Sequence, residues 1–237
     1  MKPLPPVALL AGGRATRLGA ATRNLPKSLL PVAGEPFIAH QLRLLRRQNI
    51  ARVVICTGHL GEQIEAFVGD GSGYGLQVEY SSDGATLQGT GGAIVQAARR
   101  LGEEFFVMYG DSYLDTAWAP IWRAFQAEAA MGLMTVYHNQ GKWDQSNLHY
   151  QQGRISQYAK PPLPGMEYID YGLSLLRAEA LTLAPPSRPL DLAAWYQALI
   201  AQNQMAGYEV ADRFFEIGSL HGWQETEKYL TMHPALP

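Results

Sequence analysis

The chain has 237 residues, 47% hydrophobic and 17% charged, with 19 Lys and Arg against 21 Asp and Glu for a net charge of −2. So large an apolar fraction excludes a disordered chain, and 24 Gly and 15 Pro along its length exclude a coiled coil. Near-neutral charge without a clustered basic face argues against a nucleic-acid partner, and no apolar run approaches the ~18 residues of a membrane span.

In chain order, Val7 to Ala11 reads as a buried strand and Phe37 to Gln48 as an amphipathic helix, apolar at Leu42, Leu44 and Leu45 and basic at Arg43, Arg46 and Arg47. Strand Arg52 to Thr57 follows, then helix Glu62 to Val68, strand Leu76 to Ser81, helix Gly92 to Arg100, strand Glu104 to Tyr109, helix Ala119 to Ala130 and strand Gly132 to His138. Strands separated by helices imply crossovers and a parallel sheet covered on both faces. Later segments are shorter. Leu148 to Tyr150 and Ile155 to Tyr158 read as antiparallel strands around Gln152-Gly153, followed by strand Tyr168 to Leu176 and a helix near Leu190 to Gln202. Strands near Tyr208 to Val210 and Phe214 to Ile217 precede a closing helix, His221 to Met232. Pro161 to Pro164 and Pro185 to Pro189 read as loops, because patterned segments flank both.

The pattern predicts an α/β fold, a single Rossmann-like domain over 1–237 with a mixed, mostly parallel sheet covered by helices. A nucleotide-binding half would span about 1–140 and an α+β half about 141–237. Three prolines in Met1 to Pro6 and a short apolar core argue against a signal peptide. The one cysteine, Cys56, cannot make an intrachain disulfide; in VVIC it reads as a buried apolar residue, which fits a cytoplasmic protein.

In such sheets ligands bind beyond the carboxyl ends of the strands. The first strand runs into LAGGRATRL, Leu10 to Leu18. Glycines let the backbone approach a ligand, successive N–H groups make an anion nest, and Arg14 and Arg17 add donors suited to phosphate. Lys27, between Pro26 and Ser28, adds another cation. The plain alternative is a strand-to-helix turn with surface cations. The string is neither a GxxxxGK[ST] loop nor a GxGxxG fingerprint.

Leu10 to Phe37, LAGGRATRL…LPKSLLPVAGEPF, resembles the signature of the sugar-1-phosphate nucleotidyltransferases, L-A-x-G-x-G-T-R-L followed by P-K-x-L-x-P-V-x-G-x-P. The short, stand-alone members, such as D-glycero-D-manno-heptose 1-phosphate guanylyltransferase and N-acetylmuramic acid 1-phosphate uridylyltransferase, are the nearest in kind. Ala15 stands where the family usually has Gly. The resemblance implies the nucleotide-diphospho-sugar transferase fold, with Arg17 on the triphosphate, Lys27 on the α-phosphate, and Leu10, Ala11, Gly12, Gly13 and Arg14 along the nucleotide. LQGTGGA resembles the segment L-G-T-[AG]-G-A, which implies that Gln88, Gly89, Thr90 and Gly91 also lie along the nucleotide. Asp83 aligns with an acidic family residue; it would accept from a guanine edge, or serve only as a turn residue before Gly84. Gln88 would instead read uracil or thymine with its amide.

Asp111, at the end of the apolar strand FFVMYGD, is the expected catalytic metal ligand, since Mg²⁺ prefers hard oxygen donors. Asp115 reads as a helix N-cap. FFEIGS puts Glu216 where relatives have the second metal-binding Asp. QYAKPP resembles the family's E-K-P motif, with Lys160 in place for the sugar phosphate and Ala159 replacing the Glu. YIDYG puts Asp170 near the usual Asn, followed by Gly172, and Trp143 and Asn147 belong to a loop suited to a sugar ring.

These residues imply NTP + sugar 1-phosphate → NDP-sugar + pyrophosphate, with Mg²⁺ as cofactor. GTP with heptose or mannose 1-phosphate is the first choice. The alternative is uridylyl or thymidylyl transfer to N-acetylmuramic acid 1-phosphate or glucose 1-phosphate. A non-catalytic nucleotide- or sugar-sensing subunit, drawn from the departures at Ala15, Ala159 and Glu216, is the alternative of another class.

Overall fold

The apolar runs of the first half become the centre of a nine-stranded sheet in the computed structural model, which describes residues 3–13, 18 and 23–234. In chain order the strands are β1 (Val7–Leu10), β2 (Pro31–Val32), β3 (Glu35–Pro36), β4 (Arg52–Thr57), β5 (Gln77–Ser82), β6 (Glu104–Tyr109) and β7 (Ser112–Tyr113). Then follow β8 (Gly132–His138), β9 (Leu148–Gln151), β10 (Arg154–Tyr158), β11 (Tyr168–Arg177), β12 (Met205–Val210) and β13 (Phe215–Glu216). The helices are α1 (Phe37–Arg47), α2 (Gly61–Val68), α3 (Gly89–Leu101), α4 (Trp118–Ala127), α5 (Leu192–Ala201) and α6 (Leu220–Met232). Among these, no helix is long and apolar enough to cross a membrane.

The sheet runs β5-β4-β1-β6-β11-β8-β12-β10-β9. Its first four strands are parallel. β11 lies antiparallel to both β6 and β8, and β10 to both β12 and β9, while β12 is parallel to β8. The sheet is therefore mixed, with β11 and β10 running against the other strands. β9 also pairs with β11 at Leu148 and Tyr168. This closes β11, β8, β12, β10 and β9 into a ring at the first residue of β9. The register of β11 on β8 shifts between Asp170 and Ser174, around Gly172 at φ +92°. Such an irregularity bends a strand and re-aims its side chains.

Period-two alternation feeds two cores. Val7, Leu9, Phe106 and Met108 face one side, with α1, α2, α4 and α6; Ala8, Phe105 and Val107 face the other, with α3 and α5. Central parallel strands are covered on both faces, which is why they read as continuous apolar runs. The strongly amphipathic α1 buries Phe37, Ile38, Leu42, Leu44 and Leu45 and turns its arginines outward, Arg43 onto Glu35 and Arg47 onto Asp115.

Two short ladders lie outside the main sheet; of their four strands only β13, within Phe214 to Ile217, was read from the sequence. β2 and β3 form a hairpin around Ala33 (φ +50°) and Gly34 (φ +87°), and Phe37 N–H bonds Leu30 O at 2.9 Å. This anchors the 3₁₀ turn Lys27–Leu29 against α1. β7 pairs with β13, Ser112 opposite Glu216. β2, β3 and β7 carry too little periodicity to be read. Asp115 is not the cap of α4. It accepts from Arg47 and from Tyr229 Oη, while Gln48 Oε1 accepts the Trp118 N–H at 3.1 Å.

Candidate active site

The carboxyl ends of β1, β4 and β6 open onto a cleft of about 240 Å³. Leu10, Ala11, Gly12 and Gly13 line it from β1, as expected. A Cβ on Gly58, after β4, would lie 2.7 Å from Gly12 O and 2.9 Å from Leu87 Cδ2. The two loops thus meet backbone to backbone, which only glycine permits. Arg14, Ala15 and Arg17 lie outside the described residues.

Lys27 and Asp111, 84 positions apart in sequence, face each other across the rim. Lys27 Nζ donates to Asp111 Oδ2 at 2.7 Å, with side chains 18% and 28% exposed. Ile217 N–H bonds Asp111 O at 2.9 Å, which brings β13 and Glu216 alongside. A Cβ on Gly218 would sit 2.8 Å from Glu216 Oε2, 3.0 Å from Asp111 Oδ2 and 3.5 Å from Lys27 Nζ. Both carboxylates and the ammonium therefore surround one point that a side chain would fill. Glu216 also braces the start of α6: Oε2 accepts from Gly218 N–H and from Ser219 N–H (3.0 Å), and Oε1 from Ser219 Oγ (2.5 Å).

Among the described residues no three His, Cys, Asp or Glu side chains form a metal cage. Mg²⁺ does not require one, because it is usually held by one or two carboxylates and completes its shell with water and substrate phosphate. The Asp111 and Glu216 oxygens fit that donor set.

Asp83, Gly89 and Thr90 line the opposite wall. Asp83 Oδ2 accepts from Gln88 N–H at 2.9 Å, whereas Oδ1 is buried without a partner. Burial raises the Asp83 carboxyl above its ordinary value, opposed by the Gln88 N–H. The N-terminus of α3 is not open to a ligand at Gly91 and Gly92. Both N–H groups bond Leu190 O, at 2.9 and 3.2 Å, and Leu190 N–H bonds Gln88 O at 2.8 Å. A Cβ on Gly89 (φ +79°) would run into the same carbonyl, so this glycine serves packing. Gln88 and Gly91 stand outside the cleft lining, and the Gln88 amide donates to Thr86 O at 2.8 Å.

The residues expected on the sugar side do not line this cleft; they attach to it through partners. Asp170 Oδ2 accepts from Tyr109 Oη (3.2 Å) and Tyr158 Oη (3.4 Å), and Oδ1 from Gly172 N–H (2.9 Å). Asn147 Oδ1 in turn accepts Asp170 N–H at 3.0 Å. Asp170, Gly172 and Asn147 are thus brought together, and Tyr109 joins them to the cleft. Burial pushes the Asp170 carboxyl up to about 6, against the pull of the Gly172 N–H and the two phenols. Lys160 Nζ donates to Asp191 Oδ2 at 3.0 Å. Asp191 caps α5 through Ala193 N–H and meets Thr90 Oγ1 at 3.4 Å. One ring face of Trp143 is covered by the Arg213 guanidinium, 3.4 Å from the ring centroid, and Arg213 also lies over Phe215, next to Glu216.

Sequence reading missed Thr57 and Tyr109 in the cleft, and Asp191 beside it. Thr57 ends β4 and Tyr109 ends β6, so the strand-end rule already held the signal for both. Asp191 had the local signature of an N-cap, but nothing near it in sequence pointed to Lys160.

The family described as nucleotidyl transferase matches residues 7–223. The chain belongs to that family. As a nucleotidyl transferase it is an enzyme of the type whose curated relatives are sugar-1-phosphate nucleotidyltransferases. It is 29% identical over 226 residues to N-acetylmuramate alpha-1-phosphate uridylyltransferase of Neisseria meningitidis, covering 92% of this chain and 95% of that one. It is 38% identical over 109 residues to mannose-1-phosphate guanylyltransferase of Mycobacterium tuberculosis, covering 46% of this chain and 30% of that one. Among solved structures, HddC from Yersinia pseudotuberculosis complexed with GMP-PN superposes with a TM-score of 0.79 at 18% identity, over 96% of this chain and all of that one. At that identity the likeness is one of fold, and it matches the mixed sheet described above.

Proposed function

We propose that this nucleotidyl transferase joins a nucleoside triphosphate to a sugar 1-phosphate, making an NDP-sugar and pyrophosphate. The observation that carries the reading is the meeting of Lys27, Asp111 and Glu216 around Gly218 at the rim of the cleft. One anion must attack another, so the site has to hold both against repulsion and offset charge that grows during transfer. An oxygen of the sugar phosphate attacks the α-phosphorus in line; the bond to the bridging oxygen breaks, and pyrophosphate carries away the electron pair. Lys27 stands where it meets charge building on the α-phosphate. Arg17 and Arg14 are assigned to the triphosphate on the motif alone. Lys160, on releasing Asp191, orients the acceptor phosphate, and Asp170, Gly172, Asn147 and Trp143 border the sugar. Asp111 and Glu216 would hold Mg²⁺, which supplies fixed positive charge beside the phosphates when bound.

Asp83 carries the base reading. Its unpartnered Oδ1 calls for an N–H donor, because a buried acceptor without a partner costs about 1–3 kcal/mol. Guanine offers two adjacent donors, N1–H and N2–H, one for Oδ1 and one for the lone pair of Oδ2 that Gln88 N–H leaves free, so GTP with heptose or mannose 1-phosphate is the first reading. Uracil offers one donor, N3–H. The relative matched over 95% of its length is a uridylyltransferase, which supports UTP with N-acetylmuramic acid 1-phosphate as the second. The reaction is read as cytoplasmic, which the single, buried free cysteine Cys56 supports.

The test is pyrophosphate release with Mg²⁺, crossing the common nucleoside triphosphates against glucose, mannose, heptose and N-acetylated amino-sugar 1-phosphates. Release with one guanylyl or uridylyl pair supports the reading. Nucleotide binding without release from any pair would favour a sensing subunit.

A further inference from the structure

Gln41 lies in the middle of α1 and is 0% exposed, a polar amide that shares the buried side of the helix with His40 and otherwise apolar residues. Its Nε2 donates to Ser112 O at 2.8 Å and to Tyr109 O at 3.3 Å. Those carbonyls bracket Gly110 and Asp111. Its Oε1 is buried without a hydrogen-bond partner. Both N–H groups are thus given to one turn while the acceptor is left unmet, an arrangement that serves the turn rather than the helix. The rest of the turn is held by backbone: Gly110 N–H on Leu10 O at 3.0 Å, and Ile217 N–H on Asp111 O at 2.9 Å. Ser112, gripped by Gln41, is also the ladder partner of Glu216.

We propose that Gln41 is a positioning residue for nucleotidyl transfer: by fixing the Tyr109 and Ser112 carbonyls it aims the Asp111 carboxylate at Lys27 and keeps β7 in register with Glu216. This rests on the reaction proposed above. Misplacing a reacting group by about 1 Å can lower turnover on the order of 10²-fold, so an amide that never touches substrate still governs rate.

Gln48, on the same side of the fold, supplies the control. It stitches α1 to Thr116 O (2.8 Å) and Trp118 N–H (3.1 Å), away from Asp111. The experiment compares Gln41→Met and Gln48→Met in the full chain, by melting temperature, turnover, and Mn²⁺ binding followed through the free-ion EPR signal. Both variants melt a few degrees lower. Only Gln41→Met loses turnover, by ~10- to 10²-fold, and only it weakens Mn²⁺ binding, while KM for the nucleotide stays level. Turnover and Mn²⁺ binding in folded Gln41→Met within about twofold of Gln48→Met would overturn the proposal. If Gln41→Met does not fold, Gln41→Asn serves: it keeps the amide but is one methylene too short to hold both the Tyr109 and Ser112 carbonyls. Its turnover and Mn²⁺ binding then fall; values within about twofold of Gln48→Met overturn the proposal. If the wild type releases no pyrophosphate at all, the transferase reading fails, and the Mn²⁺ comparison still decides the role of Gln41.

Discussion

In the parallel half of the sheet, Leu10, Thr57 and Tyr109 reach the cleft because each ends a strand, and Asp111 follows two residues after β6. In the ring formed by β11, β8, β12, β10 and β9, position along the chain does not suffice. Asp170 is held by Tyr109 and Tyr158, Lys160 by Asp191, and Trp143 by Arg213. Parallel strands deliver groups to one end by topology, whereas the ring delivers them through tertiary partners. The parallel half, joined by Glu216 from β13, should therefore govern chemistry, and the ring should govern acceptor binding.

The comparison breaks most plainly at Lys27. Lys27→Ala is expected to lower turnover by about 10²-fold or more, by the measure of removing one preorganised donor. Steady-state rates with the active substrate pair check this, and unchanged turnover removes Lys27 from the chemistry.

Asp170 sharpens the contrast through stability. Its carboxyl is raised to about 6 in the fold, against ~3.9 in the unfolded chain. Below pH ~4 both states hold the proton, and its contribution to stability is fully present. From pH ~4 to ~6 only the folded state keeps it, so stability falls as pH rises, and above ~6 the loss is complete. Asp170→Asn keeps one acceptor oxygen for the two phenols and loses the one that Gly172 N–H meets; it also removes that slope, gaining about 2 kcal/mol over the wild type at pH 8 relative to pH 4. Denaturant melts at both pH values test it; parallel wild-type and variant curves would mean Asp170 titrates normally.

The smallest effect falls on Lys160, whose pair with Asp191 is exposed. Lys160→Met should raise KM for the sugar 1-phosphate by ~10-fold, the scale of one phosphate-directed cation, and leave nucleotide affinity unchanged. Loss of nucleotide affinity instead would assign Lys160 to the triphosphate.

The strands of the first half were legible because burial on both faces writes itself as runs such as RVVICT and EFFVMY. Asp111 was legible because it follows such a run. The reversal at β11 was not, since ten largely buried residues read alike in either direction. Glycines in LQGTGGA suggested an open helix N-terminus, yet Leu190, a hundred residues away, already occupies its N–H groups. The grip of Gln41 on the Asp111 turn has no local signal, because a glutamine inside a helical stripe looks the same whether it bonds water or a distant carbonyl.

The most direct measurement is a crystal structure of the wild type with Mg²⁺ and a non-hydrolysable nucleoside triphosphate. The account predicts the α-phosphate beside Lys27, the metal between Asp111 and Glu216, and the base edge on Asp83 Oδ1. Phosphates bound away from Lys27, or a base that leaves Asp83 unpartnered, would contradict it.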